Sequence, residues 1–143
     1  MQIKNRKKLI IICLLSLFLF NFNLSAEEFD ISAKEITIDN KNQILVGKGS
    51  VLAQDSEGKR IYANKITYEK SKEFLLAEGE VKIVDKDGNI LETDKATYDK
   101  INEKIVTYNN TRVKLKEGYK LVSKNISYNI IKKILNSSEN SIL

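Results

Sequence analysis

Histidine is absent from this chain, and its single cysteine, Cys13, lies inside an apolar run. Catalysis by a nucleophile–imidazole pair and metal ligation by imidazole or thiolate are therefore closed to residues 14–143. The side chains left for chemistry are 19 Asp+Glu, 24 Lys+Arg and six Tyr. Carboxylates and amines catalyse when they converge in a cleft, but here the acids fall mostly at turn and outward positions, the pattern of a solvated surface. Asp85-Lys86-Asp87-Gly88-Asn89 has a calcium-loop flavour. An EF-hand loop, however, places its glycine sixth and a glutamate twelfth. Gly88 comes fourth and no such glutamate follows, so the segment reads as a tight turn. No catalytic residue, no metal site and no cofactor is expected. Tyr68, Tyr98 and Tyr128 are the phenols that recur in phase. They suit either a ladder at the mouth of an apolar groove, ring toward grease and hydroxyl toward water, or a cross-strand stack that fixes register.

The elements that place those tyrosines repeat every thirty residues. Ile31-Ser-Ala-Lys-Glu-Ile-Thr-Ile-Asp39 aligns without gaps with the segments starting at Ile61, Leu91 and Leu121. The second halves align too: Leu45-Val-Gly-Lys-Gly-Ser-Val51 matches Leu75-Leu-Ala-Glu-Gly-Glu-Val81, while the third copy is weaker, with Asn109 for glycine and Thr111 for valine. A fixed period of this size means stacked supersecondary units, none able to bury its apolar face alone.

Within each unit, hydrophobic residues alternate with period two, the mark of half-buried strands. In the first half the parity switches: Ile61 and Ala63 are odd, Ile66 and Tyr68 even. An extra residue at Asn64-Lys65, and at its equivalents, restores the facing, so a bulge or corner is expected in every unit. Gly49 and Gly79 fall on the inward parity, consistent with a sharply curved strand in a dry core or with close approach of backbone or ligand. Polar segments such as Asp39–Asn42 and Gly-bearing turns such as Asp55–Gly58 separate the halves, and connections this short favour antiparallel neighbours. The expected fold is all-β: an antiparallel, repeat-built β-jellyroll of two facing sheets, open at the ends of the stack.

Residues 1–26 read differently. Lys4, Arg6, Lys7 and Lys8 precede the apolar run Leu9–Phe20 and then Leu24-Ser25-Ala26, a signal peptide cut after Ala26. The run is too short to span a bilayer. Export leaves residues 27–143 as one domain without cysteine, which fits a bacterial periplasm. The 24 Lys+Arg less the leader's four leave 20 against 19 acids, so a nucleic-acid partner is not expected.

Ile61-Tyr-Ala-Asn-Lys-Ile-Thr-Tyr-Glu69 followed by Leu75-Leu-Ala-Glu-Gly-Glu-Val-Lys-Ile-Val-Asp-Lys-Asp-Gly88 resembles the OstA-like domain of lipopolysaccharide transport, which forms the periplasmic bridge protein LptA and the N-terminal periplasmic part of LptD. The resemblance runs from Phe29 to Leu143. It implies a twisted β-jellyroll whose apolar groove holds the acyl chains of lipid A, and it implies edge-to-edge stacking with other such jellyrolls. At roughly 0.8 kcal/mol per buried CH₂, a chain of about a dozen carbons resists leaving an apolar phase by roughly 10 kcal/mol, so passage across water demands a continuous apolar lining. The groove candidates are Ile36, Ile38, Val51, Ile66, Tyr68, Val81, Ile83, Ala96, Tyr98, Val113, Ile126 and Tyr128. The edge-pairing candidates are Ile31, Ala33, Ser141, Ile142 and Leu143. The fourth unit ends at Leu143 without a cap, which suggests either an N-terminal portion of a longer protein, such as LptD with its outer-membrane barrel, or a docking edge of a bridge protein. A β-solenoid spacer or adhesin and a carbohydrate-binding sheet are the rivals; the latter usually offers exposed aromatic platforms, and tryptophan is absent.

Overall fold

The computed structural model describes residues 29–138; the signal-peptide segment, Ser141, Ile142 and Leu143 lie outside the described residues. Eleven strands follow one another: β1 (Asp30–Ser32), β2 (Glu35–Asp39), β3 (Ile44–Gln54), β4 (Arg60–Glu69), β5 (Phe74–Val84), β6 (Ile90–Asp99), β7 (Lys104–Tyr108), β8 (Thr111–Lys114), β9 (Lys120–Ser123), β10 (Asn125–Asn129) and β11 (Ile134–Ser138). A short 3₁₀ turn at Lys70–Lys72 links β4 to β5. Every pairing is antiparallel, as the short connections require.

The ladder is continuous but folds on itself. One half of each long strand pairs within a layer that also contains β2, β7, β10 and β11; the other half pairs within a layer containing β1, β8 and β9. The corner between the layers falls where the parity switch placed it. Register shifts lie between Lys48 and Val51, Tyr62 and Lys65, and Glu78 and Val81. One detail differs from expectation. The extra residue is carried by β3 and β5, where two residues oppose one of the facing strand, rather than by Asn64-Lys65. Gly49 and Ser50, Gly79 and Glu80, and Asn109 and Asn110 all have positive φ, so each corner is a pair of left-handed residues. Glycine enters that region without penalty and asparagine with little, which is why Asn109 can stand where the repeat has lost its glycine. The corner is also crowded: a Cβ on Gly79 would lie 2.9 Å from Asn64 Nδ2 and 3.0 Å from Asn64 Cβ. In the third unit the strand breaks outright into β7 and β8. The Thr93 hydroxyl lies 2.7 Å from the Asn109 carbonyl, which also accepts from the Asp94 amide at 3.5 Å, and 3.1 Å from that of Tyr108.

The turns on the far side from the corner also keep the period. Gln43, Glu73, Glu103 and Lys133 each adopt positive φ. The carbonyls of Gln43, Glu73 and Glu103 accept hydrogen bonds from the amides of Lys70, Lys100 and Ile130, tying each unit to the next. Asp85 accepts from the amides of Asp87 and Asn89 and from Asn89 Nδ2, so the segment once compared with a calcium loop is an Asx-type turn.

Candidate functional site

Inward residues of both layers meet in one apolar cluster running through the stack: Val51, Ala53, Ile61 and Ala63, then Ile66, Leu75, Ala77, Val81, Ile83 and Ala96, reaching Ile105. Of the groove candidates, Val51, Ile66, Tyr68, Val81, Ile83, Ala96 and Tyr98 are buried in this cluster, Val113 and Ile126 are buried outside it, and Tyr128 is half-buried. In the central units, Ile61, Ile66, Leu75, Ala77 and Val81 are almost completely buried. Exposure appears at the ends instead. Ile36 and Ile38, on the edge strand β2, are 46% and 60% exposed, and Leu135 on β11 is 39% exposed. Leu91, Leu121 and Ile130, near the C-terminal end, are half-buried. A cleft of about 330 Å³ lies against the outward face of β6, β8 and β9, where Ile90, Glu92, Arg112, Lys114, Lys120 and Val122 line it on the side away from the inward-facing Leu91. Ile31, on β1, and Ala33, just beyond it, are half-buried and pack against the apolar cluster, while β1 pairs on one side with β3. Among the described residues, β1 and β2 at one end and β9 and β11 at the other each have a single strand neighbour.

The tyrosines do not stack on each other. The cross-strand row reads Leu45, Tyr68, Leu75, Tyr98, Ile105, Tyr128, Leu135, so each ring lies between aliphatic neighbours. They sit one residue from the rim of their layer, facing the turns of the opposite layer. Across that mouth a second regularity appears, at a separation of 39 residues. Phe29 meets Tyr68 edge-on with ring centroids 5.4 Å apart, and reaches Tyr98 at 5.9 Å. Lys59 takes the next place. Its Nζ donates to Tyr98 Oη at 2.7 Å and to Asp55 Oδ2 at 3.2 Å, stands 4.2 Å from the Tyr98 ring centroid, and lies 3.8 Å from Glu103 Oε2. Tyr98 Oη in turn donates to Glu103 Oε2 at 2.7 Å. Lys59 and Asp55 are buried, so Asp55 is not the solvated turn acid the sequence suggested. Burial first, and then the hydrogen bond to the Glu103 carboxylate, raise the Tyr98 hydroxyl far above its ordinary pKa, so it stays a donor.

Sequence reasoning found the tyrosines but missed Phe29, Asp55, Lys59 and Glu103. The signal lay in the period itself, because residues 29, 59 and 89 occupy one column and residues 68, 98 and 128 another.

Corner, rim and interior together define a bent, repeat-built β-jellyroll with an apolar inside and free strand edges at its ends. No protein-family model matches the chain, and no curated protein matches it in sequence. Among solved structures it is similar to LptH of Pseudomonas aeruginosa, described as the LptA-homologous periplasmic component of the lipopolysaccharide transport device. The TM-score is 0.71 at 16% identity, over 80% of this chain and 84% of that one. The chain therefore has the all-β, LptA-like jellyroll fold, and the fold that the residue pattern implied is the fold found. At this identity the likeness is one of fold.

Proposed function

We propose that this chain is a periplasmic lipopolysaccharide-transport component that shelters lipid A acyl chains between its two layers. The observation that carries the reading is an apolar interior that runs from Phe29 to Ile105, with half-buried Ile31 and Ala33 packed against it at one end and Leu91 and Ile130 at the other, on a fold shared with LptH. The free edges of β2 and β11 suit strand addition by neighbouring jellyrolls of the same kind, giving a longer slide. Its setting is either the N-terminal part of an LptD or an LptA-type bridge. The reading frame beyond Leu143 separates them, since barrel strands would follow in the first case.

The closed central core favours one competing reading, a rigid β-solenoid spacer that takes up no lipid. A benzophenone side chain at Tyr128, compared with one at the exposed outward position Lys82, distinguishes the two. Illumination with purified lipopolysaccharide is expected to label from position 128 and not from 82. Absence of inward labelling, or equal labelling from both, removes the transport reading and leaves the spacer.

A further inference from the structure

Three successive rungs of unlike chemistry line the mouth of the jellyroll, and the first two close it. In the first, Phe29 lies edge-on against Tyr68. The second joins the Asp55–Lys59 turn of one layer to Tyr98 and Glu103 of the other through charge-assisted hydrogen bonds, with Lys59 and Asp55 both under a tenth exposed. In the third, Asn89 occupies the column of Lys59, but its side chain is tied into its own layer: Nδ2 donates to Asp85 Oδ2 at 2.7 Å, and Oδ1 accepts from the Lys116 amide at 3.0 Å. Tyr128 opposite it is half-buried rather than closed over. Buried polar atoms of the second rung are all satisfied, since no buried side-chain nitrogen or oxygen among the described residues lacks a partner.

A charged rung in this place calls for an explanation. An apolar pair of the same volume would join the layers at least as firmly, because desolvating an amine and two carboxylates costs about as much as their attraction returns. What the charged rung offers is a contact that can part into water without exposing grease. Carboxylates, phenol and amine are all solvated when the layers separate, whereas the aromatic rung beside it is not.

We propose that Asp55, Lys59, Tyr98 and Glu103 form a clasp across the mouth of the jellyroll, which holds the central units shut and must open for a hydrocarbon chain to pass inward from the C-terminal end. This rests on the transport reading above and assigns it a gate. The unclasped third rung, beside Leu91, Leu121 and Ile130, is where a chain first lies between the layers. Tyr68, beyond the clasp, is reached only after the second rung parts.

The test exploits the lack of cysteine in residues 27–143. Lys59→Cys and Glu103→Cys are introduced together into the protein without its leader, and half the sample is bridged with a flexible bis-maleimide. A benzophenone side chain is placed at Tyr68 in one preparation and at Tyr128 in another, and the rate of light-driven labelling by purified lipopolysaccharide is followed. Bridging is expected to slow labelling from position 68 by about tenfold or more, the scale of a lost charged hydrogen bond, while leaving position 128 unchanged. Bridged and unbridged samples share the same substitutions, so folding defects cancel. Lys59→Met, with a thermal melt to show that the fold persists, is expected to speed labelling from position 68 in the otherwise native mouth. Labelling from 128 together with a rate at 68 that ignores the bridge overturns the clasp while leaving transport intact. Absence of labelling from both positions overturns the transport reading, and the gate with it.

Discussion

Gly79→Ala and Gly88→Ala test the corner, because the two glycines differ in one respect. Both have positive φ, +79° and +91°, so an alanine at either meets the left-handed penalty of about 1–2 kcal/mol. Gly88 has open space around the position of a new Cβ, within 4 Å, whereas Gly79 has Asn64 Nδ2 at 2.9 Å and Asn64 Cβ at 3.0 Å. The amide nitrogen can swing aside, but Asn64 Cβ moves only if β4 moves against β5. Overpacking of that kind typically adds about 1–3 kcal/mol. The expected losses are thus about 1–2 kcal/mol for Gly88→Ala and roughly 2–4 kcal/mol for Gly79→Ala. Urea unfolding followed by far-ultraviolet circular dichroism measures both, and an unchanged slope would show that stability alone has shifted. Asn64→Gly removes the obstructing Cβ, so the double variant should recover about 1 kcal/mol or more relative to additivity. If the two alanine variants lose the same stability within about 0.5 kcal/mol and Asn64→Gly rescues nothing, the corner is not held by close approach of these strands.

Three further expectations concern the mouth, the outer face and the edge. Tyr98 has a raised pKa in the fold, so its contribution is complete below the ordinary value of 10.0 and is lost as pH rises above it. Tyr98→Phe should cost about 1–3 kcal/mol at neutral pH, by depriving Lys59 and Glu103 of a partner, and should make the alkaline fall of the urea midpoint shallower; identical alkaline limbs would contradict this. Glu78 shifts the other way, chiefly through the hydrogen bond from Lys65, with Lys95 on its other side. Its contribution is present above the ordinary 4.5 and is lost as pH falls, but the pair is half-exposed, so Glu78→Gln should flatten the acid limb by less than about 0.5 kcal/mol. On β2, Ile36→Lys with Ile38→Lys should suppress concentration-dependent association in size-exclusion chromatography without changing the melt, and a native protein that stays monomeric at high concentration would contradict edge pairing.

The thirty-residue period made the fold legible because each column imposes its own physics. Alternation fixed the strands, the parity switch between Ala63 and Ile66 fixed the corner, and Gly58 and Gly88 fixed the turns. The side of the ladder that carries the extra residue was hidden, since alternation in β4 shows that facing is restored but not which strand of a pair is longer. Whether the interior is closed was hidden as well. Ile66 and Val81 would read the same in a gaping groove and in a dry core, because inward parity is common to both. Lys59 and Asp55 escaped notice for a different reason: a charged pair flanking a glycine turn reads as solvated surface, and only the twist that carries this turn over Tyr98, two units away, buries it.

Departures from the repeat are as informative as the repeat. The first unit has Ile38 where later units have tyrosine, and that isoleucine is exposed on an edge strand. The third has Asn109 for glycine and Thr111 for valine, and there the long strand splits while Thr93, Thr107 and Thr111 join in a hydrogen-bonded hydroxyl chain. The fourth places Ser123 where the second has Ala63, and its hydroxyl meets that of Ser137 at 2.6 Å. Apolar packing is therefore densest in the second unit, and toward the C-terminal end hydroxyls join the base of the fold while Tyr128 at the rim is only half-buried. The hydroxyl contacts at the base and the half-buried rim at Tyr128 thus occupy opposite sides of the same units. Hydroxyl pairs at the base do not depend on apolar contacts at the rim, so the opening proposed above would leave the corner intact, and an apolar guest would replace only the contacts at the mouth.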